Sequence, residues 1–118
     1  MDLRSGGTFI DAEGSVTILQ KDDYHLEPTR HWGSSLSGAD YPVEWHIDIP
    51  RLEVNLDVQA LVDAQEMSTG QSTGVTYWEG AVGVRGTVAE ESVQGRGYLE
   101  MTGYTGPPMS EALGAKVR

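Results

Sequence analysis

The sequence predicts an all-β protein built as a meander of antiparallel strands. Two-residue alternation of apolar and polar side chains runs through the middle of the chain. Glycine is abundant, 15 of 118 residues, and spread along the whole length. Almost nothing reads as helix. An up-and-down barrel and a sandwich both suit this pattern, and the length of the alternating strands favours the barrel.

The elements follow in order. Thr8 to Asp11 and Ser15 to Gln20 read as a hairpin about Glu13-Gly14. Between Asp22 and Ser37 the pattern is weaker, with one strand around Tyr24 to Leu26 and another at His31-Trp32. Val43, Trp45, Ile47 and Ile49 then share one face of a strand, and Glu44, His46 and Asp48 the other. Pro50-Arg51 breaks the run. Leu52, Val54, Leu56 and Val58 alternate with Glu53, Asn55, Asp57 and Gln59, so these two strands are expected to form a hairpin.

Ser68 to Gly74 is a polar loop. In the strand after it, Val75, Tyr77, Glu79 and Ala81 share one face, while Thr76, Trp78, Gly80, Val82 and Val84 share the other. A turn is expected from Glu90 to Gly95. The last strand alternates Tyr98, Glu100, Thr102 and Tyr104 with Leu99, Met101 and Gly103. Pro107-Pro108 ends the sheet, and Ser110 to Lys116 forms one helical turn or a frayed end.

Composition bounds the function. The length corresponds to a single domain over residues 1–118, short for a closed ligand-binding barrel. A formal charge of −10, from 18 acidic and 8 basic side chains, repels phosphate backbones and anionic headgroups, so nucleic acid is not an expected partner. Cysteine is absent, which removes disulfides and thiolate chemistry. The polar start, Met1 to Gly7, lacks the apolar core of a secretion signal. No run is long enough to span a membrane as a helix, so a soluble chain without membrane insertion is expected.

Two segments hold the most chemistry: Tyr77-Trp78-Glu79-Gly80-Ala81-Val82 and Gly95-Arg96-Gly97-Tyr98-Leu99-Glu100-Met101-Thr102-Gly103-Tyr104. Each sets aromatics and a carboxylate beside glycines within a strand, where glycine marks a bulge or a close backbone approach. Together with Tyr41-Pro42-Val43-Glu44-Trp45, Gln65-Glu66 and, more weakly, Trp32-Gly33-Ser34, these blocks resemble the C-terminal half of the AttH-like secreted hydrolases. That superfamily also contains carotenoid 1,2-hydratase (hydroxyneurosporene synthase). The similarity runs from about Phe9 to Tyr104.

The resemblance implies a lipocalin-like (calycin) β-barrel and a family that is often secreted or periplasmic. It also implies a departure. Family members generally pack two such domains together, and this chain matches only the second. The barrel is therefore expected to be incomplete and closed by a homodimer or by a separately encoded partner domain.

Hydration of an isolated C=C bond needs an acid strong enough to protonate carbon, and a carboxyl group serves only if its pKa is raised. Aromatic faces would stabilise the resulting cation. Glu79 and Glu100 share faces with Tyr77, Tyr98 and Tyr104, which makes them the candidate catalytic acids; Glu66 is a third carboxylate. The structural alternative pairs Glu79 and Glu100 with Arg85 and Arg96 across neighbouring strands.

Glu44, His46 and Asp48 share one strand face, but no second histidine completes a metal-ligand set, so no metal is expected. His25 and His31 are isolated. No phosphate-cradling loop, nucleophile elbow or cofactor motif occurs.

The expected function is binding of a small apolar molecule, a polyene, isoprenoid or lipid-like compound, in a barrel pocket. Trp45, Glu66, Tyr77, Trp78, Tyr98 and Tyr104 would line it. The alternatives are a hydratase- or cyclase-type enzyme using a buried glutamate in a pocket completed by a second subunit, and a structural or interaction domain.

Overall fold

The computed structural model describes residues 5–68 and 76–104. The Ser68 to Gly74 loop lies outside them beyond Ser68, as do Val75, Pro107-Pro108 and the Ser110 to Lys116 segment. Strands β1 (Gly6–Ile10) and β2 (Val16–Gln20) form a two-stranded antiparallel hairpin. The remaining strands build one antiparallel sheet: β3 (His25–Gly33), β4 (Asp40–Ile49), β5 (Val54–Ala60), β6 (Glu66–Ser68), β7 (Thr76–Val88) and β8 (Glu91–Thr102).

β8 pairs with nearly the whole of β7, so β5 and β6 share the opposite edge of that strand, end to end. Among the described residues the sheet does not close. β3 and β8 are its edges, and the expected barrel is an open, lipocalin-like sheet.

Alternation gives the sheet an apolar inner face and a polar outer one. Register aligns Ile47 with Leu56 and Trp45 with Val58, then Val58 with Val84 and Ala60 with Val82, and finally Trp78 with Met101. Trp78, Tyr41, Val43 and Val54 on the inner face are fully buried. At one end, Ala39, Tyr41, Val43, Ala60, Trp78 and Met101 form a core cluster. At the other, the β1–β2 hairpin lays Phe9 and Leu19 against Ile49, Val54 and Leu56. Burying side chains of this size stabilises the fold by roughly 1.5–3 kcal/mol each.

Local chemistry explains the turns. The Asp11 carboxylate accepts the Glu13 and Ser15 backbone N–H groups at 3.0 and 2.8 Å, which closes the first hairpin with Gly14 at φ +88°. Pro50–Leu52 makes one 3-10 turn ending on Glu53 at φ 55°, so β5 begins at Val54 rather than Leu52.

Two expectations change. The two expected pieces around Tyr24 to Leu26 and His31-Trp32 belong to one continuous strand, His25–Gly33, with bulges between Pro28 and His31 that break its alternation. The segment from Glu90 to Gly95 is not a turn: the chain reverses at Ala89-Glu90, and strand β8 starts at Glu91.

Candidate functional site

Between Ala60 and Glu66 the chain leaves the edge of β7 and returns. Leu61 N–H donates to the Ala81 carbonyl and Glu79 N–H to the Gln65 carbonyl, so the excursion spans the level of Gly80. Its geometry is held at several points. The Trp78 indole N–H donates to the Asp63 carbonyl at 2.7 Å, and Gln65 Nε2 donates to the Val62 carbonyl at 2.6 Å. Arg30 grips the Asp63 carboxylate with two parallel N–H groups at 2.9 and 2.8 Å, and its Nε donates to Glu44.

The excursion delivers Glu66 to the inner face, beside its cross-strand partner Trp78. There its carboxylate accepts the Ser34 hydroxyl at 2.6 Å and the Tyr41 hydroxyl at 2.8 Å, together with the Ser37 hydroxyl. Ser34 in turn accepts the Leu36 and Ser37 backbone N–H groups, so the β3–β4 loop is folded around this one carboxylate. Burial alone would push Glu66 up, but the three hydroxyl donors outweigh it and hold the group below the usual carboxylate range. Tyr41 moves the other way, raised by burial and then by its bond to Glu66.

Tyr41 is also the centre of an aromatic stack. Trp32 lies parallel to it with ring centroids 6.1 Å apart, and Tyr104 tilts against it at 5.6 Å. Beyond Tyr104 the inner face opens into an apolar groove of about 370 Å3. Trp45, Ile47 and Val58 make its floor, Leu99 and Met101 its far wall, and Leu26 and Tyr104 its rim.

The residues expected at a site therefore divide. Trp45 and Tyr104 line the groove, Glu66 lies behind Tyr41 next to it, and Trp78 is fully buried beneath. Glu79 and Glu100 stand directly opposite each other across β7 and β8, with Tyr77 and Tyr98 beside them, on the outer face. Glu100 also borders the groove where β8 passes over it. Tyr98 is 69% exposed.

The alternative pairing of these glutamates with Arg85 and Arg96 does not form: register places Arg85 opposite Gln94 and Arg96 opposite Gly83. On the same outer face, His46 Nδ1 lies 2.9 Å from Asp57 Oδ1. Ser34, Ser37 and Tyr41 as partners of Glu66 were not legible in the sequence. Trp32-Gly33-Ser34 and Gln65-Glu66 hinted at two halves of that cluster without indicating that they meet.

A lipocalin-like open sheet with an aromatic-lined apolar groove defines the class of domain. The sequence profile of the AttH-like family matches residues 1–104, and the chain belongs to that family. Among solved structures, an AttH protein from Nitrosomonas europaea is 34% identical, with a TM-score of 0.73 over 85% of this chain. Kievitone hydratase from Nectria haematococca shares the fold at 22% identity, with a TM-score of 0.67 over 82% of this chain. The chain spans 29% of the length of each of these proteins. Among curated proteins none matches in sequence. No helix among the described residues is long and apolar enough to cross a membrane.

Proposed function

We propose that this hydratase-related domain binds a small apolar molecule, polyene, isoprenoid or lipid-like, in the inner groove. The observation that supports the reading most directly is the groove's composition: a Trp45, Ile47 and Val58 floor facing Leu99, Met101 and Tyr104. Leu26 and Tyr104 at its rim remain 46% and 40% exposed, apolar surface that a ligand would cover.

The chain corresponds, in this reading, to the second of two lipocalin-like domains. A second copy or the partner domain then completes the groove between the open edges β3 and β8. Coverage of only 29% of each solved relative supports the idea that a further domain belongs beside it.

Binding is favoured over catalysis by this domain alone. Glu66, the carboxylate nearest the aromatic stack, is held ionised by its hydroxyl donors, the wrong state for protonating carbon. The enzymatic alternative is supported by the hydratase neighbour and would employ Glu79 or Glu100 in a pocket completed by a second subunit.

The test is a tryptophan-fluorescence titration with β-ionone, a neutral isoprenoid. Saturable quenching that disappears in Trp45→Leu and is lost on Leu99→Asp is the expected result. A flat titration of the folded protein overturns the reading. Native mass spectrometry of the same sample reports whether the loaded species is a monomer or a dimer.

A further inference from the structure

The outer face carries a second concavity, which shares Trp45 and Val58 with the lining of the groove. A trough of about 570 Å3 crosses the middle of the sheet between Asp57 and Gln59 on one side and Arg85, Gln94 and Arg96 on the other. Register sets its geometry. Gln59, Gly83 and Arg96 lie in one row across β5, β7 and β8, and Asp57, Arg85 and Gln94 lie in the next. Gly83 leaves the floor low: a β-carbon there would meet Leu61 Cδ2 at 3.4 Å and the Gln59 carbonyl at 4.0 Å.

The charges around this trough are unequally satisfied. Glu44, at its far rim, accepts the Arg30 Nε–H, and Asp57 Oδ1 is taken by His46 at 2.9 Å. Among the described residues, neither Arg85 nor Arg96 makes an ion pair or a hydrogen bond through its side chain. The two are diagonal neighbours on one sheet face, and the Asp57 carboxylate stands directly opposite Arg85 without bonding to it. That neither guanidinium is bonded to a carboxylate among the described residues is notable in a chain with 18 acidic side chains and a net charge of −10. Glu79 and Glu100 could have supplied counter-charges, but they face each other further along the same strands.

We propose that Arg85 and Arg96 form an anion site for a small molecule bearing a carboxylate or phosphate group. Gln59 and Gln94 would hydrogen-bond the polar body of that molecule. Two guanidinium forks match either group bidentately, and the trough has the size of a small-molecule site. The surrounding negative field excludes polyanions such as nucleic acid while a short-range arginine pair still holds a compact anion.

The experiment is an amide-resolved NMR titration of the whole chain at low salt with sodium phosphate, sodium acetate and neutral acetamide. Phosphate or acetate is expected to shift Gly83, Arg85, Gln94 and Arg96 saturably, and acetamide not at all. Saturation by one anion at a concentration tenfold below the other assigns the group recognised. In Arg85→Gln/Arg96→Gln the shifts should vanish while inner-face resonances such as Ile47 and Met101, which line the groove and not the trough, stay in place.

If that double variant fails to fold, Arg85→Lys/Arg96→Lys keeps the charge and removes the forks. It should weaken binding about tenfold. No saturable shift into the low-millimolar range, or shifts that survive the loss of both arginines, would overturn the proposal.

Discussion

Gly80 lies directly beneath the side chain of Gln65, so close that a β-carbon there would stand 2.3 Å from its amide group. This relationship couples two separate sequence blocks. Glycine at position 80 lets the Gln65 amide reach the Val62 carbonyl, which fixes the excursion that presents Asp63 to Trp78 and Glu66 to Tyr41. Gly80→Ala should therefore cost about 1–2 kcal/mol through overpacking, read as a lower urea midpoint at unchanged slope. The colliding atoms belong to a side chain, so adding Gln65→Ala should recover part of the loss. Purely additive losses would mean that the contact is not what makes glycine necessary.

The β7–β8 turn offers a gain instead. Ala89 and Glu90 adopt φ values of 49° and 70°, between the paired residues Val88 and Glu91. Two successive left-handed residues are the φ pattern of a two-residue I′ hairpin, which favours Asn-Gly. Non-glycine residues there cost about 1–2 kcal/mol each. Ala89→Asn/Glu90→Gly is expected to raise stability by about 1–2 kcal/mol, measured by thermal denaturation. An unchanged or lower midpoint would show that the Ala89 N–H bond to the Glu53 carbonyl, 3.0 Å, already dictates this geometry at no cost.

The same turn shows where sequence reading fails. Strands β4, β5 and the second half of β8 were legible because one face of each is buried, and burial writes a two-residue period into the sequence. From Glu91 to Tyr98, β8 is exposed on both faces, so no burial constrains it. Its turn also lacks the glycine or asparagine that would announce a hairpin. β3 reads as two pieces in the sequence because its bulges reset the alternation. Closure of the sheet depends on which edges meet, and no local pattern encodes that. Nor does local pattern bring Ser34 to Glu66, two polar residues 32 positions apart.

Acid should reveal the Glu66 cluster. Its folded pKa lies below the ordinary glutamate value of 4.5, because the hydroxyl bonds from Ser34, Ser37 and Tyr41 outweigh the opposing effect of burial. The contribution is thus fully present above that value and is lost as pH falls through the folded pKa. Glu66→Gln removes the charge and leaves one hydroxyl donor without its carboxylate acceptor. It should lower stability at neutral pH by about 1–2 kcal/mol and flatten the decline below pH 4.5. Asp63 is also lowered, through its bonds to Arg30, so a residual decline persists until Asp63→Asn is added. A Glu66→Gln protein with the parental acid profile would place the titrating groups elsewhere.

Removal of a charge should help at the Glu79–Glu100 pair. Like charges directly opposed across an antiparallel ladder are destabilising, and this pair is aligned in register. The two glutamates are not equivalent. Tyr77 and Tyr98 are each raised, first by desolvation and then by Glu79, with a smaller push from Glu100. Glu79 is thus the carboxylate the tyrosine hydroxyls engage, and Glu100 is the surplus charge. Glu100→Gln is expected to raise stability by up to about 0.5 kcal/mol in a low-salt denaturation, with the gain fading as salt screens the repulsion. Glu79→Gln should instead return the tyrosine absorbance titration toward the ordinary 10.0. Destabilisation by Glu100→Gln that salt does not alter would show that Glu100 is held by a bond rather than merely repelled by its neighbour.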